Sequence, residues 1–325
     1  MMNIISVSAP ACKPLVNFQP VALTMETLFQ HNQQRKDKVV VIMGATGTGK
    51  SKLAIDLATH FPPAEIVNSD KMQVYKGLDI TTNKVTEEEC RGVPHHLLGT
   101  VDDPNHDFTA NDFCHHASVA IDSIVGRDGL PIIAGGSNSF IDALVNHDSM
   151  FRLRYECCFL WVDVSLPVLH SSLSARVDRM IEAGQLDEVR EFFDYSVSDY
   201  TRGVRRAIGV PEFDEFLREE ARGGDERRKK KLLEAAIAKT KVNNCKLATR
   251  QLQKIHRLYT IWKQNMHRLD ATEAVFNKGA WEDDVASKGR RIVQKFLYGD
   301  NRVLVSAGAP LPLPLPPPAM AAVTH

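Results

Sequence analysis

Val39-Val40-Val41-Ile42-Met43-Gly44-Ala45-Thr46-Gly47-Thr48-Gly49-Lys50-Ser51 is the stretch that decides the fold. Its first five residues are short, apolar and mostly β-branched, as in a strand buried on both faces of a parallel sheet. Gly44–Ser51 fits G-x-x-x-x-G-K-[ST], in which glycines let backbone N–H groups converge on an anion. Leu53, Ala54, Leu57 and Ala58 then recur at helical spacing, so a helix amino terminus adds its dipole at the same point. Strand, glycine turn and helix are the context that this motif requires. Within it, Lys50 reaches terminal phosphate oxygens and the Ser51 hydroxyl ligates Mg2+. Whose phosphates the loop holds is left open by the motif.

Outward from the loop the α/β pattern continues. Glu65–Asp70 reads as a second short strand, with Asp70 at the carboxyl edge where such sheets bind ligands. A helix N-cap or turn role is the plainer reading of an Asp there. Lys71–Lys84 is a polar loop, and residues 85–108 are irregular. The pairs His95-His96 and His115-His116 lack a third ligand at metal spacing and read as ordinary loop or helix-surface histidines. Thr109–Val125 predicts a helix with a stripe of Phe113, Ala117, Ala120, Ile121 and Ile124. Pro131–Asn138 is another buried strand entering a glycine turn, which brings Ser137 and Asn138 to the ligand edge; a helix over 139–146 follows. Cys157–Val164 is a further strand. Asp163, near its end, reads equally as a magnesium-associated carboxylate or a turn residue. Residues 38–165 are therefore expected to form a P-loop NTPase-like α/β core, a mainly parallel sheet flanked by helices.

Beyond Leu166 the period is helical, and residues 166–270 predict a smaller helical domain covering the substrate. Pro167–Phe193 reads as helix. Arg176 and Arg179, three apart, share one of its faces. Paired arginines suit a diphosphate, whereas acidic Asp178 and Glu182 nearby suit a solvated face. A long basic helix is expected over 232–268, carrying Lys239, Lys241, Lys246, Arg250, Lys254 and Arg257. Residues 271–303 predict a C-terminal helical segment packing on the core, and 304–325 a Pro-rich disordered tail. Residues 1–37 read either as an organelle transit peptide or as a plain disordered tail. A plastid location is expected on the first reading, a cytoplasmic one on the second.

Over 325 residues, 40 Lys and Arg balance 40 Asp and Glu, so no global electrostatic argument favours nucleic acid or membrane. No apolar run approaches the roughly 20 residues needed to span a bilayer. Six cysteines without a C-x-x-C suit free thiols in a reducing compartment.

The motifs also run in a recognisable order. GATGTGKS at 44–51 is followed by NSDKMQVYKGLDITTNK at 68–84, HHLL at 95–98 and the DF at 112–113. AGGSNSFIDAL at 134–144, ARVDRMIEAGQLDEV at 175–189 and KTKVNNCKLATRQLQKI at 239–255 complete it. From Val39 to Leu269 the chain resembles the isopentenyltransferases (dimethylallyltransferases) that prenylate the N6 amine of adenine. One branch of that family acts on an adenosine in tRNA, the other on free adenine nucleotides to make cytokinins. The tRNA branch usually carries GYRQ where this chain has Gly209-Val210-Pro211-Glu212, and GGT where it has Gly135-Gly136-Ser137. Its eukaryotic members often add a C-terminal zinc finger, while no Cys follows Cys245 here. The chain is thus similar to the plant adenylate isopentenyltransferases.

The resemblance implies transfer of the dimethylallyl group of dimethylallyl diphosphate to ATP or ADP, with Mg2+ as cofactor. It implies Asp70 as the base and Thr46 beside the reacting carbon and leaving oxygen. Lys50, the amides of Gly44, Ala45, Gly47, Thr48 and Gly49, Ser51 with Mg2+, and Arg179 with Arg176 are the candidates for stabilising the departing diphosphate. Asn68, Ser69 and Gln73 are expected to contact adenine, with Ser137 and Asn138 nearby. The nucleotide phosphates need their own cations, from Lys239, Lys241 and their neighbours up to Arg250, or from Arg227–Lys231. A monomer without membrane or nucleic-acid partners is expected. Competing readings are a tRNA-modifying enzyme, a P-loop small-molecule kinase, and a non-catalytic nucleic-acid binder resting on the basic helix.

Overall fold

The computed structural model describes residues 36–263 and 265–299. The expectations for 1–35 and 304–325, a transit peptide or tail and a Pro-rich segment, lie outside the described residues. β1 (Asp37–Met43) is the central strand, and Val39 to Met43 have no exposed surface. It leads through the glycine loop into α1 (Lys50–His60). β2 (Ala64–Asn68), β3 (His95–His96), β4 (Leu130–Ala134), β5 (Tyr155–Asp163) and β6 (Met266–Asp270) complete one sheet. Their order is β3-β2-β4-β1-β5-β6, with every described pairing parallel.

Alternation along β1 divides the core in two. Val39, Val41 and Met43 pack with Phe113, Ala117, Ile121 and Ile124 of the helix Ala110–Val125. Val40 and Ile42 face the other way, against Leu53, Ala54 and Leu57 of α1. Successive strand side chains point to opposite faces, so a doubly covered sheet needs an unbroken apolar run. The helix Ala110–Val125 starts at a capping box, Thr109 with Asp112, which satisfies two otherwise orphaned amide donors.

Three expectations change. The segment Pro167–Phe193 is two helices, Leu166–Glu182 and Gln185–Phe192. Gly184 between them has φ of 100°, a conformation that costs glycine little. The long basic helix runs over Glu226–Trp262, about 55 Å at the usual rise. Residues 266–270 are not part of it but form β6, paired with β5. The histidine pair expected in an irregular stretch forms edge strand β3, where His96 Nε2 meets Glu65 Oε2 at 2.6 Å.

The C-terminal segment closes over α1. Trp281 stacks against Gly49, its indole N–H donates to Asp56 Oδ2 at 2.8 Å, and Lys52 lies over its ring. The helix Ser287–Tyr298 packs beside it. Among the described residues no helix is long and apolar enough to cross a membrane.

At the carboxyl edge, β2 and β4 come so close that only glycine fits at 135. A Cβ on Gly135 would lie 2.3 Å from the Ser69 carbonyl carbon and 2.5 Å from its oxygen. Gly135→Ala must push the two strand ends apart, at a cost of about 1–3 kcal/mol. Urea denaturation should show the lowered midpoint; an unchanged midpoint would contradict so tight a contact.

Candidate active site

The carboxyl ends of β1, β2 and β4 open into a cavity of about 600 Å³, within the usual range for ligand sites. Thr46, Gly47, Gly49, Lys50 and Ser51 line one side, and Asp70, Gln73 and Ser137 another. The helices Leu166–Glu182 and Glu226–Trp262 lay Arg176, Asn244 and Gln251 across it.

Lys50 is buried, and its ammonium donates to Ala45 O at 2.7 Å. Burial pushes its pKa down to about 8; the charge of Asp70 opposes the shift and that of Arg176 adds to it. Arg176 is half-buried, and desolvation lowers its pKa to about 10, against the pull of Asp70 and with the push of Arg179. Its Nη1 donates to Thr46 Oγ1 at 3.2 Å and its Nη2 to Asn244 Oδ1 at 3.1 Å, while Nε has no partner. Two cations with weakened hold on their protons thus face one carboxylate. Such a site draws in an anion.

Asp70 is held by its neighbours. Its backbone N–H donates to Asn68 Oδ1 at 3.2 Å, and Oδ1 accepts the Met72 N–H at 3.0 Å. Oδ2 is free of protein donors and lies beside Gly136, 3.3 Å from where a Cβ would stand. A carboxyl group with one committed oxygen and one without a donor among the described residues is arranged to accept a proton.

A model of the family described as IPP transferase matches residues 73–152 and 146–257. Adenylate isopentenyltransferase 5, chloroplastic, of Arabidopsis thaliana is 62% identical over 89% of this chain and 90% of its own. The chain belongs to the IPP transferase family. The Arabidopsis adenylate isopentenyltransferase 7, mitochondrial, is 55% identical over 82% of this chain and 83% of its own. Among solved structures, a eukaryotic dimethylallyltransferase acting on tRNA matches with a TM-score of 0.70 and 26% identity, over 85% of this chain and 82% of that one. A full-length tRNA isopentenylpyrophosphate transferase from Bacillus halodurans matches at 0.62 and 25%, over 81% and 100%.

Within this transferase fold, several expected site residues spend their polar groups on the protein itself. Gly44 and Ala45 shape the loop; Thr48 Oγ1 donates to Ala45 O at 3.0 Å. Ser69 is fully buried against Gly135. Asn68 lines the cavity, but its amide is spent on Leu97 O at 2.9 Å. The Gln73 amide nitrogen holds Thr82 O and Asn83 O. Ser137 Oγ accepts the Lys71 N–H at 2.8 Å, and Asn138 donates to Gln251 O at 3.2 Å.

Other expected residues lie elsewhere. Arg176 turns into the cavity, whereas Arg179 is exposed over a neighbouring depression with Lys76, Lys84 and Met180. Three residues along a helix leave a net offset of only about 60°, and what separates the two is that Arg176 is held inward by Thr46 and Asn244. Lys239 and Lys241 do not line the cavity. They stand on either side of buried Thr240, about 100° away around the helix; Lys239 is exposed and Lys241 pairs with Asp178 at 2.6 Å. Arg227–Lys231 lies a further two turns and more from the cavity, with Arg228 and Lys229 paired to Glu219 and Glu226. Asp163 is buried and bound by Arg268 at 2.8 and 2.7 Å, a structural ion pair. The cavity also has Arg250 on its wall, the end of the basic segment expected to hold the nucleotide phosphates, and Lys71 and Arg206, two cations that sequence spacing left unassigned. Asn244 and Gln251 were missed as well. Their signal is present: they break an otherwise small or apolar buried stripe, Thr240, Asn244, Ala248, Gln251 and Ile255.

Two outcomes follow from these placements. Arg176→Ala should reduce turnover by about 10²–10³-fold, while Arg179→Ala should leave it within about threefold; the reverse order in steady-state kinetics would return the role to Arg179. An anion in the loop favours charged Lys50, so binding takes up a proton once the pH exceeds about 8. Diphosphate affinity should therefore fall as pH rises past about 8, by at most about tenfold per unit. Calorimetric titrations in buffers of different ionisation enthalpy will read the proton, and Lys50→Met should erase the slope.

Proposed function

We propose that this protein transfers the dimethylallyl group of dimethylallyl diphosphate to N6 of the adenine of ATP or ADP, the first step of cytokinin biosynthesis. The observation that carries this reading is the single cavity in which the phosphate loop and Arg176 face Asp70. A loop with Lys50 and amide donors suits a diphosphate; a carboxylate with a free oxygen across from it suits an amine that must lose a proton. The similarity to proteins named adenylate isopentenyltransferases supports the acceptor.

The adenine amine is a poor nucleophile because its lone pair is delocalised into the ring. Asp70 accepts its proton as the N–C bond forms, a general-base contribution of about 10²–10⁴-fold. The C–O bond to diphosphate breaks, and negative charge grows on the bridging oxygen. Lys50, the loop amides and Arg176 are in place beforehand to stabilise that charge. Thr46, held by Arg176 through its hydroxyl, sits where the leaving oxygen meets the prenyl carbon. The Ser51 hydroxyl is exposed to the cavity and has no protein partner among the described residues. It fits one ligand of a magnesium ion otherwise held by phosphate oxygens and water. Such an ion would neutralise charge on the departing diphosphate.

Lys71, Arg206 and Arg250 are the cations best placed for the nucleotide phosphates. Burial lowers the Lys71 pKa, with Arg206 adding to the effect and Asp107 opposing it. Arg206 Nη2 meets Asp107 Oδ1 at 3.2 Å, and its Nε is buried without a hydrogen-bond partner among the described residues. A monomer is the proposed state. A plastid location rests on relatives named chloroplastic; one named mitochondrial is the alternative organelle.

The second reading, a tRNA acceptor, rests on the solved structure acting on tRNA. Dimethylallyl diphosphate offered with ATP, ADP, AMP and tRNA in competition separates the two. Mass spectrometry should find prenylated ATP and ADP, and Asp70→Asn should cut their formation by at least about 10²-fold with diphosphate binding retained. Product on tRNA alone would overturn the nucleotide acceptor, and near-normal turnover by Asp70→Asn would remove it as base.

A further inference from the structure

Both polar atoms of the Gln251 side chain are used, and they are used across the site. Oε1 accepts the Thr46 N–H at 2.8 Å, and Nε2 donates to Gly136 O at 2.9 Å. The Gln251 backbone carbonyl accepts from Asn138 Nδ2 at 3.2 Å. Thr46 belongs to the loop after β1; Gly136 and Asn138 belong to the turn after β4. These strands are neighbours in the sheet, and one side chain from the long helix Glu226–Trp262 ties their exits together. The link continues at both ends. Thr46 Oγ1 is held by Arg176. A Cβ on Gly136 would lie 2.7 Å from Gln251 Nε2 and 3.3 Å from Asp70 Oδ2, so the turn is packed between strut and carboxylate.

The amide's orientation is dictated by its partners. An acceptor must face the Thr46 N–H, and a donor must face the Gly136 carbonyl. Glutamate keeps the first and loses the second, unless its carboxyl carries a proton. Asparagine has the right atoms on a stem one methylene shorter.

We propose that Gln251 is a positioning residue for the transfer, resting on the reaction proposed above. It fixes the separation between Thr46, beside the leaving oxygen, and the Gly136 turn that backs Asp70. The amine must reach the prenyl carbon as the oxygen on the far side departs, and a 1 Å misplacement can cost about 100-fold in rate.

The test uses the full chain with Gln251→Ala, Gln251→Asn and Gln251→Glu, each checked for a cooperative thermal transition. Gln251→Ala should lower kcat by about 10–100-fold, with both KM values within about threefold of wild type. Gln251→Glu should be similarly slow when ionised. As pH falls toward the carboxyl range its protonated form can again donate to Gly136 O, so its kcat relative to wild type should rise. A purely space-filling role predicts no such rescue. A kcat near wild type for Gln251→Ala, or a pH-independent ratio for Gln251→Glu, overturns the proposal. If wild type forms no prenylated nucleotide, the reaction assigned above fails, and hydrogen exchange still reads the strut. The Thr46 amide should exchange about tenfold faster or more in Gln251→Ala; unchanged exchange overturns the strut itself. Should the alanine variant not fold, Gln251→Glu and Gln251→Asn carry the same comparisons.

Discussion

Lys50, buried, and Arg176, half-buried, face Asp70 as the carboxylate that offsets them. Desolvating a cation costs on the order of several kcal/mol even after the protein relaxes, and one partly exposed carboxylate does not offset two. The fold therefore tolerates an excess of positive charge at the carboxyl edge of its sheet. Such sites are stabilised when an anion arrives. The arrangement around them is consistent with this. The α1 dipole points the same way, and the loop glycines keep side chains off the amides. Asp163, one strand over, is withheld from the cavity by Arg268. A free carboxylate there would have repelled a diphosphate.

The central elements were legible because their signals are local. A β-branched run, a glycine loop and a helical stripe lie within residues 39–58, and the strands ending at Asn68 and Ala134 follow the same grammar. β6 was not legible. His267 and Arg268 are exposed, Met266 and Leu269 are buried, and five residues of that kind after a long helix read as its continuation. β3 is two histidines whose strand character comes from pairing with Ile66 and Val67.

Within the site, the residues given by motif, Thr46, Lys50, Ser51 and Asp70, converge on one cavity. The residues given by charge alone did not. Arg176 and Arg179 look equivalent in sequence, and only packing against Thr46 and Asn244 distinguishes them. Lys239 has the charge of Arg250 and nearly its angle around the helix, but stands about three turns away along it, while Lys241 lies on the opposite side and pairs with Asp178. Gln251 was hidden for the opposite reason. It is uncharged, and its role depends on two turns more than 100 residues away in sequence. Positioning of this kind is a property of tertiary contact, and a single sequence carries it only as a polar break in a buried stripe.

The segment Gly209–Glu212 brings these constraints to the choice of acceptor. Glu212 is buried, and its carboxylate accepts the Gly209 N–H and the Asn243 amide, both at 2.7 Å. It thus locks the turn between the long helix and the Thr81 loop, where Gly209 lies against Thr81 and Gln185. With valine and proline between those ends, the turn offers no cation to a ligand. The cations that remain near Asp70 are Lys71, Arg206 and Arg250, gathered on one wall of one cavity. Recognition of an RNA strand spreads phosphate contacts along a backbone. Cations converging on one cavity wall suit a compact polyphosphate better than contacts spread along a strand, which is the physical ground for preferring a free nucleotide as the acceptor.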